Sequence, residues 1–324
     1  MARDRLSAAL EARLLDLPDG EVLAVEPPAG ADLSALPRER VRVLTTFAPK
    51  ADHWAGRGFA LDEGGAAALA LVHVPRGKAH ARALIAAATR RADVVAVDGQ
   101  KTDGIDSHWR DLRKLTGGDV PSLSAAHGRL FVVPPGADLA AWDDPGPREV
   151  ADGFVTRPGV FSQDGPDPAS ILLAETLPPQ LPPRMADLGA GWGYLSRAIL
   201  TREGVTALDL VEGEGLALDC ARLNVTDPRA RFVRADATTH PGGPWDGVVT
   251  NPPFHAGRAA DPGLGRAFIA AAARGLTRDG QLWLVANRQL PYEEALDGAF
   301  ARTQTLRETA GFKVLHASRP RSGA

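Results

Sequence analysis

Arg184-Met185-Ala186-Asp187-Leu188-Gly189-Ala190-Gly191-Trp192-Gly193-Tyr194 decides the fold. The first five residues predict a short strand. Glycines at 189, 191 and 193 let the chain turn tightly and come close to a ligand. Helical spacing follows over residues 194–201. Strand, glycine-rich turn and helix form the opening unit of a Rossmann-like sheet. Such a turn alone is shared by several nucleotide binders, NAD enzymes included, so the downstream residues must discriminate.

Downstream, three strand ends bring chemistry to one edge. Residues 205–211 form the next strand, which ends at Glu212, about 20 residues beyond the glycines, where an acid can accept both ribose hydroxyls of an adenosine. Asp209 is the alternative, but it falls inside the strand. A third strand, 231–234, ends in Ala235-Asp236-Ala237, and Asp236 there can accept from an adenine amine. The fourth, 245–249, runs into Thr250-Asn251-Pro252-Pro253-Phe254-His255. Adjacent prolines give one backbone N–H fewer each and resist helix, so this is a fixed, irregular turn. The Asn251 side chain and the Pro252 carbonyl offer two acceptors, and Phe254 a flat apolar face. That set suits a planar group carrying an exocyclic NH2. Ligands of such sheets bind outside the carboxyl ends of the strands, where all these groups converge. His255 adjoins the turn and is read as positioning it rather than as a base. Beyond it come a helix (265–276), a fifth strand (281–286), a helix (292–300) and a terminal hairpin (303–308 with 312–317).

Upstream, residues 134–136 and 143–147 are rich in proline and glycine, which puts a domain boundary near residue 150. A polar segment with one aromatic follows, residues 158–167. Phe161, Ser162, Asp164 and Asp167 make it a candidate lid, and Asp167 also suits the N-cap of a helix over 169–176. The first half alternates helix 3–15, strands 21–25, 41–46 and 66–74, helix 78–91, strand 94–97, helix 106–115 and strand 130–133. Such alternation predicts a largely parallel α/β sheet. No G-x-G turn follows a strand there. Asp98-Gly99-Gln100-Lys101 is read as a surface turn, and His53, His73, His80, His108 and His127 lack metal-ligand spacing. Lys78, Arg82, Arg90, Arg91, Arg110, Arg113 and Lys114 are read mainly as solvated faces, with a minority available to RNA phosphate.

The length of 324 residues favours two domains. Hydrophobic residues at 44% and charged residues at 24% fit a soluble globular class. The single cysteine, Cys220, excludes an internal disulfide framework and fits a reducing cytosol. No apolar run is long enough to span a bilayer, and the first residues lack a signal-peptide core. A net charge of -3 argues against nonspecific coating of nucleic acid, though not against a local basic patch. A cytoplasmic protein without a metal centre or membrane partner is expected.

Asp187-Leu-Gly-Ala-Gly-Trp-Gly193 resembles the S-adenosyl-L-methionine (SAM) motif of class I methyltransferases, and Asn251-Pro-Pro-Phe254 is similar to the motif of enzymes that methylate planar amines. Together with Pro158-Gly-Val-Phe-Ser162, Asp164-Gly165, Asp167, His255, Val285-Ala-Asn287, Leu290-Pro-Tyr292 and Lys313-Val314, they resemble the RsmC-type guanine-N2 methyltransferases of ribosomal RNA over nearly the whole chain. The departure is Pro168-Ala169-Ser170, where the family commonly has Gly before Ser. The resemblance implies two tandem Rossmann-like methyltransferase domains. Residues 1–150 would be degenerate and serve RNA recognition or structure; residues 151–324 would bind SAM, catalyse, and end in an antiparallel hairpin. It implies 16S ribosomal RNA and the small ribosomal subunit as partners. Asp187, Gly189, Gly191, Gly193, Glu212, Asp236, Ala237 and Asn251 would hold the cofactor, and Asn251, Pro252, Pro253 and Phe254 would carry the chemistry. The alternatives are the same chemistry on 23S RNA, adenine N6 or glutamine N5, a non-catalytic RNA-binding assembly factor, and an NAD enzyme. NAD chemistry needs a hydride path and usually an acid or base that this chain does not clearly supply, whereas a sulfonium methyl is already activated.

Overall fold

The structure, a computed structural model, describes residues 5–253, 255–256, 259–260 and 262–321. The chain divides into two compact units, Met1–Gly146 and Pro147–Ala324.

The first unit holds a seven-stranded sheet of β1 (Val22–Val25), β2 (Val41–Leu44), β3 (Ala60–Leu61), β4 (Ala67–His73), β5 (Ala92–Gln100), β6 (Ser122–Ala125) and β7 (Gly128–Val132). Their spatial order is β3-β2-β1-β4-β5-β7-β6. The first five strands pair in parallel, and β7 runs antiparallel to both β5 and β6. Helices α1 (Arg5–Glu11), α2 (Ala48–Gly56), α3 (Lys78–Thr89) and α4 (Ile105–Thr116) belong to this unit. Helix α1 is shorter than its periodicity predicts, because Arg13 enters the left-handed region at φ 53°.

Gly99 is not part of a surface turn; it lies within β5. A Cβ there would sit 2.4 Å from Val74 Cγ2, so its packing position requires glycine. The terminal hairpin of this unit was not predicted either.

The second unit begins with a two-stranded ribbon, β8 (Arg148–Glu149) and β9 (Val155–Thr156), followed by α5 (Pro168–Thr176). Its main sheet comprises β10 (Arg184–Leu188), β11 (Ala207–Glu212), β12 (Ala230–Arg234), β13 (Trp245–Thr250), β16 (Leu276–Asn287), β17 (Phe300–Glu308) and β18 (Phe312–Pro320); β14 (His255–Ala256) and β15 (Ala259–Ala260) form a separate small ribbon. The order is β12-β11-β10-β13-β16-β18-β17, the same winding as in the first unit. Strands β10 to β13 and β16 are parallel; β18 is antiparallel to β16 and β17, as the predicted hairpin requires.

Side chains alternate across this sheet with the strand period of two. Met185, Leu208, Leu210, Val249, Trp283 and Val285 face a core with α5, α6 (Tyr194–Leu200) and α7 (Gly215–Asn224). Ala186, Val211, Val248, Leu282 and Leu284 face the opposite core with α8 (Pro262–Gly275) and α9 (Glu293–Ala299). Helices on both faces bury the central strands completely, which is why those strands read as apolar runs.

In α8, a Cβ on Gly265 would lie 1.9 Å from the Tyr292 hydroxyl, and Tyr292 is fully buried. Gly265→Ala is therefore expected to destabilise the fold by about 2–3 kcal/mol through overpacking. Denaturant melts compared with wild type check it; an unchanged midpoint contradicts this packing.

Candidate active site

The carboxyl ends of β10 and β13 sit side by side, joined by the buried Thr250 hydroxyl, which donates to Leu188 O at 2.6 Å. The chain leaves β10 through the glycine turn. Gly189, Gly191 and Gly193 all have left-handed φ angles, +74°, +55° and +91°. They do different work. A Cβ on Gly189 would press on Phe268 at 3.2 Å, and one on Gly193 would meet Val225 at 3.0 Å. Around Gly191 none of the described residues lies within 4 Å of that position, so its backbone faces open space among them.

Asp187, below the turn, is fully buried. One carboxylate oxygen accepts from Ser196 Oγ at 2.6 Å, while Oδ1 has no hydrogen-bonding partner among the described residues. Burial pushes its pKa up to about 7, against the lowering effect of Ser196 and with help from the nearby Glu212 charge. The proton is held more tightly in the folded state. That stabilisation is complete below the unfolded value of about 3.9 and is lost as pH rises through the folded one. Stability is thus expected to fall as pH rises from about 4 towards 7, and Asp187→Asn to flatten the fall. Thermal melts across this range check it; an equal slope in the variant contradicts it.

Glu212 ends β11. Its two carboxylate oxygens accept from Gly191 N and from Glu214 N, each at 2.7 Å, and burial raises its pKa. It is therefore fastened to the glycine turn. Asp209 is committed elsewhere, to Arg231 and the Trp245 indole. Asp236 accepts from the amide and hydroxyl of Thr238 through Oδ1, and Ala237 is buried in the core beside α8.

Phe161, Ser162, Asp167, Gly189, Gly191 and Asn251 line one cavity of 50 Å³, with Ser170 and Trp192 among its other walls. The lid segment is thus brought against the glycine turn. Its link is Trp192 Nε1, which donates to Phe161 O at 2.9 Å. Phe161 itself is 59% exposed. Asn224 ties β9 to the same turn, donating to both Val155 O and Trp192 O. Asp164 does not join this cavity: its carboxylate is exposed and paired with Arg148. Glu212, Asp236 and Ala237 do not line it either.

Asn251, at the end of β13, donates through Nδ2 to Asp167 Oδ2 at 2.9 Å and to Ser170 Oγ at 2.8 Å. Pro252 is buried and Pro253 exposed. Phe254 and the side chain of His255 lie outside the described residues, although the His255 backbone belongs to β14. Ser170 and Asn224 escape sequence reasoning. Ser170 carries one signal, its place three residues after the capping Asp167; Asn224 carries none.

The first unit repeats the winding without this site. After β1, where the second unit has its glycine turn, stands Glu26, nearly buried at φ 51°. Its carboxylate accepts from Thr45, from the Thr46 amide and hydroxyl, and from Lys50 at 2.8 Å. Burial raises its pKa, but Lys50 and these hydrogen bonds outweigh that and hold it below the ordinary range. The place is filled and satisfied by the chain's own groups.

The family model described as "Methyltransferase small domain" matches residues 152–316. A relative named ribosomal RNA small subunit methyltransferase C, from Alcanivorax borkumensis, is 35% identical over 229 residues, 68% of this chain and 69% of that protein. The chain belongs to the ribosomal RNA small subunit methyltransferase C family. The Salmonella arizonae protein of that name is 33% identical over 192 residues, 58% of this chain. There the chain spans 55% of the relative's length, about half. The 16S rRNA N2 G1207 methyltransferase (RsmC) of T. thermophilus, solved in complex with AdoMet and guanosine, superposes with a TM-score of 0.77 at 26% identity. That superposition covers 98% of this chain and 92% of the other. The class I methyltransferase fold expected from the glycine turn and terminal hairpin is the fold of this family.

Among the described residues no helix is long and apolar enough to cross a membrane, and no group of three His, Cys, Asp or Glu residues could hold a metal ion.

Proposed function

We propose that this chain transfers a methyl group from SAM to the exocyclic N2 of a guanine in small-subunit ribosomal RNA. The observation that carries the reading is the Asn251 side chain. Its amide hydrogens are committed to Asp167 and Ser170, so Oδ1 is left as an acceptor beside the cavity that meets the glycine turn.

The residues present fit SAM. The space beside Gly191 admits a ligand against bare backbone, and Glu212, fastened to that turn through Gly191 N, brings its carboxyl group beside it. Gly189 to Gly193 would cradle it. Each Glu212 oxygen keeps a lone pair for a ribose hydroxyl. Asp236 would accept from the adenine amine through its remaining oxygen. The chemistry supplied by the bound cofactor is an electrophilic methyl on a cationic sulfur.

The guanine must leave its stack to reach this site, so base flipping is part of the reading. Asn251 Oδ1 and the Pro252 carbonyl accept from the N2 amine, and Phe254 stacks on the ring. An aromatic amine is a weak nucleophile because its lone pair is delocalised into the ring. Two acceptors favour a pyramidal nitrogen with the lone pair aimed at the methyl, an interaction that strengthens in the transition state. Held by Gly189 to Gly193 and Glu212, SAM would supply the methyl to N2 and keep the bonding pair on sulfur, and N2 would release its proton to water. No strong base is needed ahead of the transfer.

The first unit, with Glu26 filling the place of a cofactor, is assigned to RNA contact. Helix α4 exposes Arg110, Arg113 and Lys114 for phosphate. The small ribosomal subunit is the assigned partner and the cytoplasm the place of action.

Incubating the protein with small subunits and, in parallel, with large subunits, each with SAM labelled in the methyl group, tests the reading. N2-methylguanosine as the labelled nucleoside supports it. Label in N6-methyladenosine, in protein, or in the large-subunit RNA contradicts it.

A further inference from the structure

The side-chain amide of Asn251 is held by two groups from one short stretch of chain. Asp167 is the N-cap of α5: its Oδ2 accepts from Ser170 N at 2.9 Å. The same oxygen accepts from Asn251 Nδ2 at 2.9 Å, and Ser170 Oγ accepts from that nitrogen at 2.8 Å. Ser170 is nearly buried. An amide nitrogen carries two hydrogens, and here both have an acceptor. Turning the amide over would set Asn251 Oδ1 against a carboxylate and leave two donors facing the cavity. A charged acceptor makes that reversal costly.

The consequence concerns catalysis rather than folding alone. A reversed Asn251 would present N–H groups to an incoming amine, donor against donor. Only the observed orientation presents an acceptor. We propose that Asp167 and Ser170 are positioning residues for methyl transfer, acting through Asn251 by locking its side chain as an acceptor. This rests on the methyltransferase reading. It also gives Asp167 two tasks at once: it starts α5 and aims the amide.

The two tasks can be separated. Ser170→Ala removes one anchor of Asn251 but keeps the backbone N–H that Asp167 caps. Asp167→Asn keeps a good N-cap while removing the charge. Ser170→Ala is expected to lower kcat about tenfold, the size of one well-placed hydrogen bond, and Asp167→Asn, which keeps an oxygen acceptor but loses its charge, by a smaller factor, with the KM for RNA and the Kd for SAM unchanged in both. In an Asn251→Ala background neither change should lower kcat further, because the group they aim is gone. A second readout needs no substrate. The Asn251 side-chain NH2 signal in 15N-correlated NMR spectra should exchange slowly with water in the wild type and faster in Ser170→Ala.

Full additivity in the double variants, or an Asn251 exchange rate that Ser170→Ala leaves unchanged, overturns the proposal. If exchange rises in Ser170→Ala while the wild-type protein transfers no methyl to ribosomal RNA, the locked amide stands and the methyltransferase reading falls.

Discussion

Asn251→Ala is expected to cut methyl transfer by about a hundredfold to a thousandfold, the range seen when one preorganised hydrogen-bonding group is removed from a reacting centre. The Kd for SAM should stay within about twofold, because the lost acceptor faces the amine and carries little of the ground-state binding. The protein should also remain folded. Thr250 still ties β13 to β10, and Asp167 still caps α5 through Ser170 N. Single-turnover rates and calorimetric SAM titration, run on the same preparation, separate the two quantities. A large loss of SAM affinity with normal turnover of the bound complex would remove Asn251 from the chemistry.

Glu212→Ala should produce the opposite split. Its carboxylate is half-buried and already organised by the amides of Gly191 and Glu214, so it would meet ribose hydroxyls without reorganising. Removing it deletes two charge-assisted hydrogen bonds and frees the glycine turn. The Kd for SAM is expected to rise about a hundredfold, while the rate at saturating SAM is largely recovered. Glu212→Gln keeps the shape and should fall between. Unchanged affinity in Glu212→Ala would overturn its assignment to the cofactor and return Asp209 to consideration, despite that residue's engagement with Arg231 and Trp245.

The winding of both sheets was largely readable because the central strands are buried on both faces and stand out as apolar runs between turns. What escaped has local causes. Strand β6 is Ser-Leu-Ser-Ala, with one large apolar residue, and its hairpin turn uses Ala126 and His127 at φ 46° and 56°. Such turns normally announce themselves with Asn or Gly. Helix α2 carries Asp, His and a closing Gly, weak helix formers, and is held by the buried Trp54.

In the candidate site, Glu212 was legible from spacing, since its distance from the glycines is a local count. Asp167 was legible as a cap for the same reason. Its hold on Asn251 spans 84 positions, and the Asn224 bond to Val155 spans 69; no periodicity carries such pairs. Asp164 stands apart from the cavity, its exposed carboxylate paired with Arg148 sixteen positions earlier in the chain, a pairing that no spacing rule announces. Glu26 could not be found either, because a plug needs no motif. It needs only a carboxylate surrounded by Thr45, Thr46 and Lys50 after folding.

The central claim is the target atom. Small-subunit RNA from a strain lacking this protein, digested and mapped by mass spectrometry beside the parent strain, tests it most directly. The account predicts that one N2-methylguanine is lost and that it returns with the wild-type gene but not with the Asn251→Ala gene. An unaltered set of N2-methylguanines in that RNA would contradict it.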